Sequence, residues 1–197
     1  MRDRVHALAP GEEAQGVSML AMGSITFRHV GPDGWREWRR LRLSALAEAA
    51  DAFESRLSDW QDQPEGRWRD RLASVPLNLV ADLDGSSVGM VSGAHLDAPG
   101  AVELLSLWVA PEARGKGIAN GLIGAVIDWA VDQGAGQLRL AVRAANAPAV
   151  ALYRRNGFEH AGPRRGRPGS PPECEMVLDL TAPPAPGAGW EQPQGQR

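Results

Sequence analysis

A cluster of glycines and basic residues, Arg114-Gly115-Lys116-Gly117, follows an apolar run that ends at Val109 and precedes a helical pattern. The first amides of a helix lack intrahelical partners and carry a partial positive charge. Glycines let the backbone come close to a ligand because no Cβ intervenes. The two basic side chains add formal positive charge. These residue types in this order predict a site for an anion, and a diphosphate fits it well.

Two common nucleotide motifs do not match this segment. A Walker loop needs a hydroxyl residue after its lysine, whereas Lys116 is followed by Gly117. A dinucleotide-binding fingerprint with glycines at 115 and 117 needs a third glycine at position 120, which is Asn120. The segment therefore belongs to neither class, and a Gly-rich turn with solvated cations is the structural alternative.

The segment from Arg114 to Ala119, after Leu107-Trp108-Val109-Ala110-Pro111, resembles the Gln/Arg-x-x-Gly-x-Gly/Ala signature of GCN5-related N-acetyltransferases. Residues 146–158 resemble the second motif of that family, a short helix that ends in Tyr-x-x-x-Gly-Phe at Tyr153 to Phe158. The resemblance covers residues 24 to 180. It implies an α/β (α+β) domain with a mixed, mostly antiparallel central sheet of six to seven strands, flanked by about four helices.

The resemblance also implies acetyl-CoA as the acetyl donor, and no metal site is expected. Asn146 fits a second role as the N-cap of the short helix, and the two roles are compatible. For the strand residues 107–109, core side chains and a cofactor-binding backbone are likewise compatible. By position, the family pattern assigns binding of the donor to Leu107, Trp108, Val109, Arg114, Gly115, Lys116, Gly117, Ile118, Ala119, Asn146 and Tyr153.

Tyr153 is the only tyrosine of the chain, and it falls at the general-acid position of the family. An unperturbed phenol has a pKa near 10, which lies above the value near 8.5 of a thiol. The hydroxyl therefore stays protonated until charge develops on the leaving thiolate. The resemblance thus implies that Tyr153 is the catalytic acid, with a packed structural tyrosine as the alternative.

An amine acceptor must also lose a proton before it attacks. Glu103, on the strand that leads to the glycine cluster, is the candidate catalytic base. Strict strand alternation places it on the face of Leu105 and Leu107, and a bulge between them would change that face. His95 and Asp97 are further candidates, and a water chain could replace all three.

Hydrophobic periodicity predicts the strands and helices that carry these residues. Three strands in succession with short turns predict an antiparallel meander. Residues 50 to 63 are ambiguous, and residues 162 to 173 form a Gly/Pro/Arg-rich loop with Arg164, Arg165 and Arg167. The pattern predicts strands at 25–30, 77–83, 88–96, 102–109, 137–142 and 176–180 with another at Phe158, and helices at 35–49, from Pro64, at 115–133 and at 146–156.

The first helical region combines tryptophans with carboxylates. Helical spacing favours core packing for Trp35, Trp38, Trp60 and Trp68, in the region where the resembled family builds its acceptor site. Acidic side chains there would favour a cationic acceptor, with a solvated face as the alternative. These acidic side chains are Glu48, Asp51, Glu54, Asp59 and Asp62.

Composition limits the other classes of function. The 197 residues carry a net charge of −3 and a pI of about 5.8, so a global basic field for nucleic acid is absent. Cys174 is the only cysteine, and no apolar run approaches the length of a membrane span. We expect a cytoplasmic protein that binds neither nucleic acid nor membrane, with a homodimer as an open possibility. Residues 1–23 are expected to be a flexible extension and residues 181–197 a disordered tail.

The resulting hypothesis is an acetyl-CoA-dependent N-acetyltransferase that transfers acetyl to a primary amine by direct attack in a ternary complex. The acceptor is expected to be a small cationic amine or a peptide amine. Two alternatives stay open at this point: a protein or peptide amine acetyltransferase, and a non-catalytic acyl-CoA-binding sensor.

Overall fold

The computed structural model describes residues 24–164 and 171–181. Within these residues the chain forms one seven-stranded sheet in the order β1-β2-β3-β4-β5-β7-β6. All neighbouring strands are antiparallel except β4 and β5. The strands are β1 (Ile25–His29), β2 (Leu77–Leu83), β3 (Ser86–His95), β4 (Ala101–Val109), β5 (Gln137–Arg143), β6 (Glu159–Arg164) and β7 (Glu173–Asp179).

Four α-helices accompany the sheet in the described residues: α1 (Trp35–Glu48), α2 (Glu65–Ser74), α3 (Ile118–Asp132) and α4 (Ala147–Arg155). Pro64 stands at the N-cap of α2, with extended backbone, and ends the preceding loop. The crossover between the parallel strands β4 and β5 is α3, as a parallel connection requires.

The helices cover both faces of the sheet, and contacts of β3 show the faces on which α2 and α3 lie. A Cβ on Gly93 would come within 2.8 Å of the Trp129 ring of α3, so this face of β3 lies directly under α3. The adjacent residue Ser92 accepts a hydrogen bond from Arg71 of α2 at 3.1 Å. Because successive strand residues point to opposite faces, α2 and α3 lie on opposite sides of the sheet.

Strands β4 and β5 separate soon after they pair. Only Ala101 to Glu103 of β4 are in register with β5, so the later residues of β4 have no partner on that side in the described structure. On its other side, β4 carries a bulge opposite the segment from Met90 to Ser92, and Ser106 within it has a φ of 59°. The divergence opens a cleft in the middle of the sheet.

The fold class predicted from sequence is confirmed: in the described residues the sheet is mixed, mostly antiparallel and seven-stranded, and four α-helices flank it. The meander of three strands is also confirmed as β2, β3 and β4. The ambiguous residues 50–63 contain two short 3-10 turns, at Ala50–Ala52 and Leu57–Asp59.

Several boundaries differ from the predicted ones, most of them by one or two residues. Helix α3 begins at Ile118 instead of residue 115, because Gly115 and Gly117 adopt left-handed backbone conformations. Phe158 precedes β6 as a buried residue, and β6 and β7 extend to Arg164 and from Glu173, into the predicted loop. The predicted extension 1–23 and tail 181–197 fall outside the described residues, except for Thr181. No helix among the described residues is long and apolar enough to cross a membrane.

Candidate active site

The glycine cluster forms the wall of a cavity of about 280 Å³ at the start of α3. Gly115 and Gly117 have φ values of 78° and 82°, and a Cβ built on either would meet no atom within 4 Å. No side chain caps the N-terminus of α3, whose N-cap is Gly117. The cavity is lined by Val109, Ala113, Arg114, Gly115, Gly117, Ile118, Ala119, Asn120, Leu152 and Arg155. Open space, uncapped amides and basic side chains fit a diphosphate group.

Six of the eleven residues predicted to bind the donor line this cavity: Val109, Arg114, Gly115, Gly117, Ile118 and Ala119. Leu107, Asn146 and Tyr153 line a second cavity, described below, and Lys116 and Trp108 line neither. Lys116 is exposed on the same turn. The side chain of Trp108 is buried, and its Nε1 donates a hydrogen bond to Glu48 of α1 at 3.0 Å. Contact of Trp108 with the donor therefore stays a prediction for its backbone alone.

Arg114 has a structural task as well as a place in the cavity. Its Nη2 pairs with Glu48 at 2.7 Å and its Nε donates to the Val109 carbonyl at 3.0 Å. Hydrogen bonds from Arg114 first, and then from Trp108, lower the pKa of the Glu48 carboxyl group. The carboxylate thus ties the turn before α3 to the end of α1, and it is not available as a feature of an acidic acceptor surface.

Helix α4 closes the cavity with residues that the sequence analysis missed. Leu152 and Arg155 both line it, one residue before and two residues after the predicted acid Tyr153. Asn156 donates a hydrogen bond to Asn120 of α3 at 3.0 Å, which holds the two helices together. The basic pair Arg154-Arg155, just before the Asn-Gly sequence that ends the helix, was the sequence signal that α4 could contribute to the cavity.

A second cavity, of about 300 Å³, lies where β4 separates from β5. Its floor is the bulged part of β4, and its walls come from α1, α2, α4 and the segment between α1 and α2. It is lined by Trp38, Arg42, Ala52, Phe53, Glu54, Ser55, Trp60, Trp68, Arg71, Glu103, Leu104, Leu105, Ser106, Leu107, Ala141, Val142, Asn146, Ala149, Tyr153, Arg164 and Glu173. All five residues from 103 to 107 contribute, because the bulge breaks the strict alternation that would have separated their faces.

Tyr153 lies in this cavity with 7% of its surface exposed. Its ring packs edge-on against Phe158 at 5.8 Å between centroids. Burial raises the pKa of the phenol well above its ordinary value. The hydroxyl is therefore protonated across the physiological range, as a proton donor must be.

Asn146 lies at the N-terminus of α4, and its Oδ1 accepts a hydrogen bond from the Ala149 amide at 3.2 Å. The predicted N-cap role is confirmed. Asn146 also lines the second cavity, so contact with a ligand stays a prediction.

Glu103 lines the same cavity but does not stand alone. Its carboxylate pairs with Arg164 at 2.6 Å, and only 12% of its side chain is exposed. The hydrogen bond to Glu103 raises the pKa of the Arg164 guanidinium. His95 packs its ring against Trp129 at 5.4 Å, and neither His95 nor Asp97 contributes to the lining.

The tryptophans and carboxylates of the first helical region divide between core and surface. Trp38 and Trp68 are 1% and 0% exposed, which confirms core packing, and Trp60 packs on Trp68 at 4.9 Å. Asp59 accepts a hydrogen bond from the Arg56 amide. Of the five carboxylates considered from sequence, Glu54 alone lines the cavity.

Two arginines that line the cavity, one buried and one half-buried, were not singled out from the sequence. Arg42 is 9% exposed, and Arg71 is half-buried with its guanidinium over the Trp38 ring. A signal for Arg42 existed: it falls on the apolar stripe of α1, four residues after Trp38 and four before Leu46. Among the described residues there is no group of His, Cys, Asp and Glu side chains arranged to hold a metal.

Comparison with known proteins finds similarity to acetyltransferases. The family model described as acetyltransferase (GNAT) family matches residues 35–158. Streptothricin acetyltransferase from Streptomyces lavendulae is 36% identical over 105 residues, which are 53% of this chain and 53% of that protein. The chain thus spans about half the length of this curated relative.

Solved structures agree on the architecture. A nourseothricin acetyltransferase is 30% identical with a TM-score of 0.50, covering 53% of this chain and 65% of the other. The structure of yncA from Salmonella typhimurium, determined with its cofactor acetyl-CoA, has a TM-score of 0.65 at 23% identity. It covers 84% of this chain and 99% of that one, and at this identity it supports the fold alone.

Proposed function

The chain belongs to the acetyltransferase (GNAT) family, and from this premise we propose that it is an N-acetyltransferase that moves an acetyl group from acetyl-CoA to a primary amine by direct attack in a ternary complex. One observation carries the proposal. The glycine-lined cavity at α3 and the cavity around Tyr153 are joined by β4, since Val109 lines the first and Leu107 the second. A long donor can therefore be held at one end and react at the other.

The residues of the first cavity fit the diphosphate of coenzyme A. The backbone of Gly115 and Gly117 and the first amides of α3 would hold it, with charge from Arg114, Lys116 and Arg155. The edge of β4 beyond Glu103, which lacks a strand partner in the described structure, would pair with the extended arm of the donor. When bound, acetyl-CoA supplies the activated acetyl group.

Tyr153 is proposed as the general acid that protonates the leaving thiolate. Its raised pKa, its burial and its position in the cavity support this role. Asn146 is proposed to assist in holding the donor as well as capping α4. Both residues lie on the same face of α4, seven residues apart.

Glu103 is proposed as the base that takes the proton of the acceptor ammonium, directly or through water. Its position in the cavity supports the role. Its ion pair with Arg164 opposes it, because a hydrogen bond from the guanidinium already occupies the carboxylate oxygen that would face the ammonium. A base role therefore requires Arg164 to move away from the carboxylate when the acceptor binds.

The acceptor is proposed to be a small amine. The similarity to a streptothricin acetyltransferase supports a small molecule over a protein amine. The volume of the cavity, about 300 Å³, is also that of a small-molecule site. A cytoplasmic location, a homodimer and the absence of nucleic-acid binding stay predictions.

Thiol release from acetyl-CoA in the presence of a panel of amines tests the proposal. Wild type should release thiol only when an acceptor is present, and Tyr153→Phe should lower kcat by about 10²- to 10⁴-fold. Glu103→Gln should lower kcat by a similar factor if the carboxylate is the base, and wild-type rates would assign that step to water. Binding of acetyl-CoA without acceptor-dependent release from any amine would favour the sensor, and release that needs a peptide would favour a peptide acceptor.

A further inference from the structure

The second cavity contains a buried guanidinium, one nitrogen of which has no hydrogen-bond partner among the described residues. Arg42 is 9% exposed, and its Nη1 is shielded from solvent with no hydrogen-bond partner among the described residues. Its guanidinium lies over the Phe53 ring, 4.7 Å from the centroid. A buried charge without a partner is unfavourable and uncommon in native proteins. Such a group, placed on the wall of a cavity, is suited to a ligand that completes its hydrogen bonds.

The acidic side chains of the cavity do not supply that partner. Glu103 pairs with Arg164 at 2.6 Å, and Glu173 pairs with Arg143 at 3.0 Å. Glu54 has an interaction of its own, and no carboxylate contributes to the shift in the pKa of Arg42. Within the described part of the chain, the guanidinium of Arg42 therefore faces the cavity without a counter-ion.

A second cation strengthens the positive character of this wall. Among the described residues, the side chain of Arg71 donates hydrogen bonds to two neutral acceptors, Asn78 Oδ1 at 3.0 Å and Ser92 Oγ at 3.1 Å. Burial first, and then the neighbouring charge of Arg71, lower the pKa of Arg42 to about 10. Burial lowers the pKa of Arg71 to about 10 as well. Both side chains thus remain charged at neutral pH.

We propose that Arg42 binds a carboxylate of the acceptor, so that the substrates of this site are small amines that carry a carboxylate group. This rests on the function proposed above. A guanidinium offers parallel donors that match the two oxygens of a carboxylate. The cavity also has an apolar wall from Trp38, Trp60 and Phe53, against which the carbon skeleton of such an acceptor would pack.

The location of Arg42 favours the acceptor over the acyl group as the source of the carboxylate. Arg42 and Arg71 belong to α1 and α2, whereas the glycine-lined cavity is built from the turn before α3 and from α4. The donor would therefore enter along β4 and α4, and the wall with the two arginines remains for the second substrate.

The test compares amines that differ only in the carboxylate: phenylalanine with phenethylamine, lysine with cadaverine, and β-alanine with ethylamine. Each is titrated calorimetrically into the protein saturated with coenzyme A, and each is assayed for thiol release from acetyl-CoA. At least one carboxylate-bearing partner should bind about 100-fold more tightly than its matched amine. In Arg42→Met this preference should fall to within a few-fold, while the affinity for coenzyme A stays unchanged.

Arg36→Met is the matched control, because Arg36 is an exposed arginine of the same helix, stacked on Trp35 and absent from the cavity lining. This variant should keep the preference. Arg42→Met should also unfold at the same or a higher denaturant concentration than wild type, because it removes an unpaired buried charge. A large loss of stability would instead assign Arg42 a structural role and overturn the proposal.

Two further results would contradict the inference. If wild type binds both amines of every pair with equal affinity, the cavity has no site for a carboxylate. A preference for succinyl-CoA over butyryl-CoA that is lost in Arg42→Met would show that Arg42 binds a carboxylate of the acyl group and not of the acceptor. Arg42-dependent binding of a carboxylate amine without thiol release would support the carboxylate site and contradict the catalytic function, so the two failures are distinguishable.

Discussion

At the level of single residues, the site depends on side chains whose charge state is controlled by burial. Tyr153 is nearly inaccessible and keeps its proton, whereas Arg42 and Arg71 stay charged in spite of burial. The arrangement provides a proton donor beside a positively charged wall. Both features suit a reaction in which a thiolate leaves and an anionic substrate is held nearby.

The raised pKa of Tyr153 makes a prediction about stability at alkaline pH. The unfolded chain loses the phenol proton near pH 10, whereas the folded chain retains it to higher pH. The folded state then binds more protons, so this group lowers the free energy of unfolding by up to about 1.4 kcal/mol per pH unit above pH 10. Urea unfolding of wild type and Tyr153→Phe between pH 8 and about 11 measures the effect.

The difference between the two curves isolates the phenol, because Tyr153 is the only tyrosine. The stability of Tyr153→Phe relative to wild type should be constant below pH 10 and should increase above it. Parallel curves throughout would mean that the phenol is not desolvated in the folded state.

The positions of residues that belong to a motif could be predicted from the sequence. The contacts between residues far apart in the sequence could not. Gly115, Gly117 and Tyr153 stand at fixed spacings and fell at the two cavities. The pairing of Glu103 with Arg164 joins residues 61 positions apart in sequence, so no local pattern indicates it. The tie from Glu48 to Arg114 and Trp108 is equally remote, and Glu48 therefore looked like a free surface charge.

At the level of elements, the bulge and the divergence of β4 determine the shape of the cleft. The length of β4 was predicted to within a residue. The left-handed Ser106 was not, because a non-glycine residue at positive φ leaves no signal in a hydrophobic pattern. Strict alternation would place Glu103 on the same face as Leu105 and Leu107 unless a bulge intervened, and the structure contains a bulge between Leu105 and Trp108.

Helix α4 gives a prediction about its N-cap. Asn146→Ala removes the acceptor for the Ala149 amide and should lower the free energy of unfolding by about 1 kcal/mol. Asn146→Asp keeps an oxygen at the cap and should be within a few tenths of a kcal/mol of wild type. Urea unfolding measures both variants, and equal stability of Asn146→Ala and wild type would show that the cap contributes nothing.

The same two variants separate the structural role of Asn146 from contact with the donor. If Asn146→Asp is stable yet binds coenzyme A more weakly than wild type, the side chain also contacts the donor. If it binds as wild type does, the cap is its whole contribution.

At the level of the whole molecule, the sheet carries helices on both faces and opens in the middle. The turn before α3 is tied to α1 through Arg114 and Glu48, and α3 is tied to α4 through Asn120 and Asn156. The proposed donor site and the cavity wall with Arg42 and Arg71 are therefore connected through the same helices. We expect the binding of coenzyme A to raise the unfolding temperature, because a ligand that binds only the folded state stabilises it by mass action.

The central claim is that the turn before α3 binds the diphosphate of coenzyme A, and calorimetric titration of two glycine variants tests it most directly. Gly117 and Gly134 have φ values of 82° and 68°, and a Cβ on either meets no protein atom within 4 Å. Alanine at each position should therefore cost a similar amount of stability, roughly 1–2 kcal/mol. Only Gly117 lines the donor cavity.

Gly134→Ala should bind coenzyme A with the affinity of wild type, whereas Gly117→Ala should bind it at least about tenfold more weakly, because the new methyl group occupies the space where the diphosphate approaches the backbone. Equal affinities for the two variants and wild type, or no binding of coenzyme A by wild type, would contradict the account.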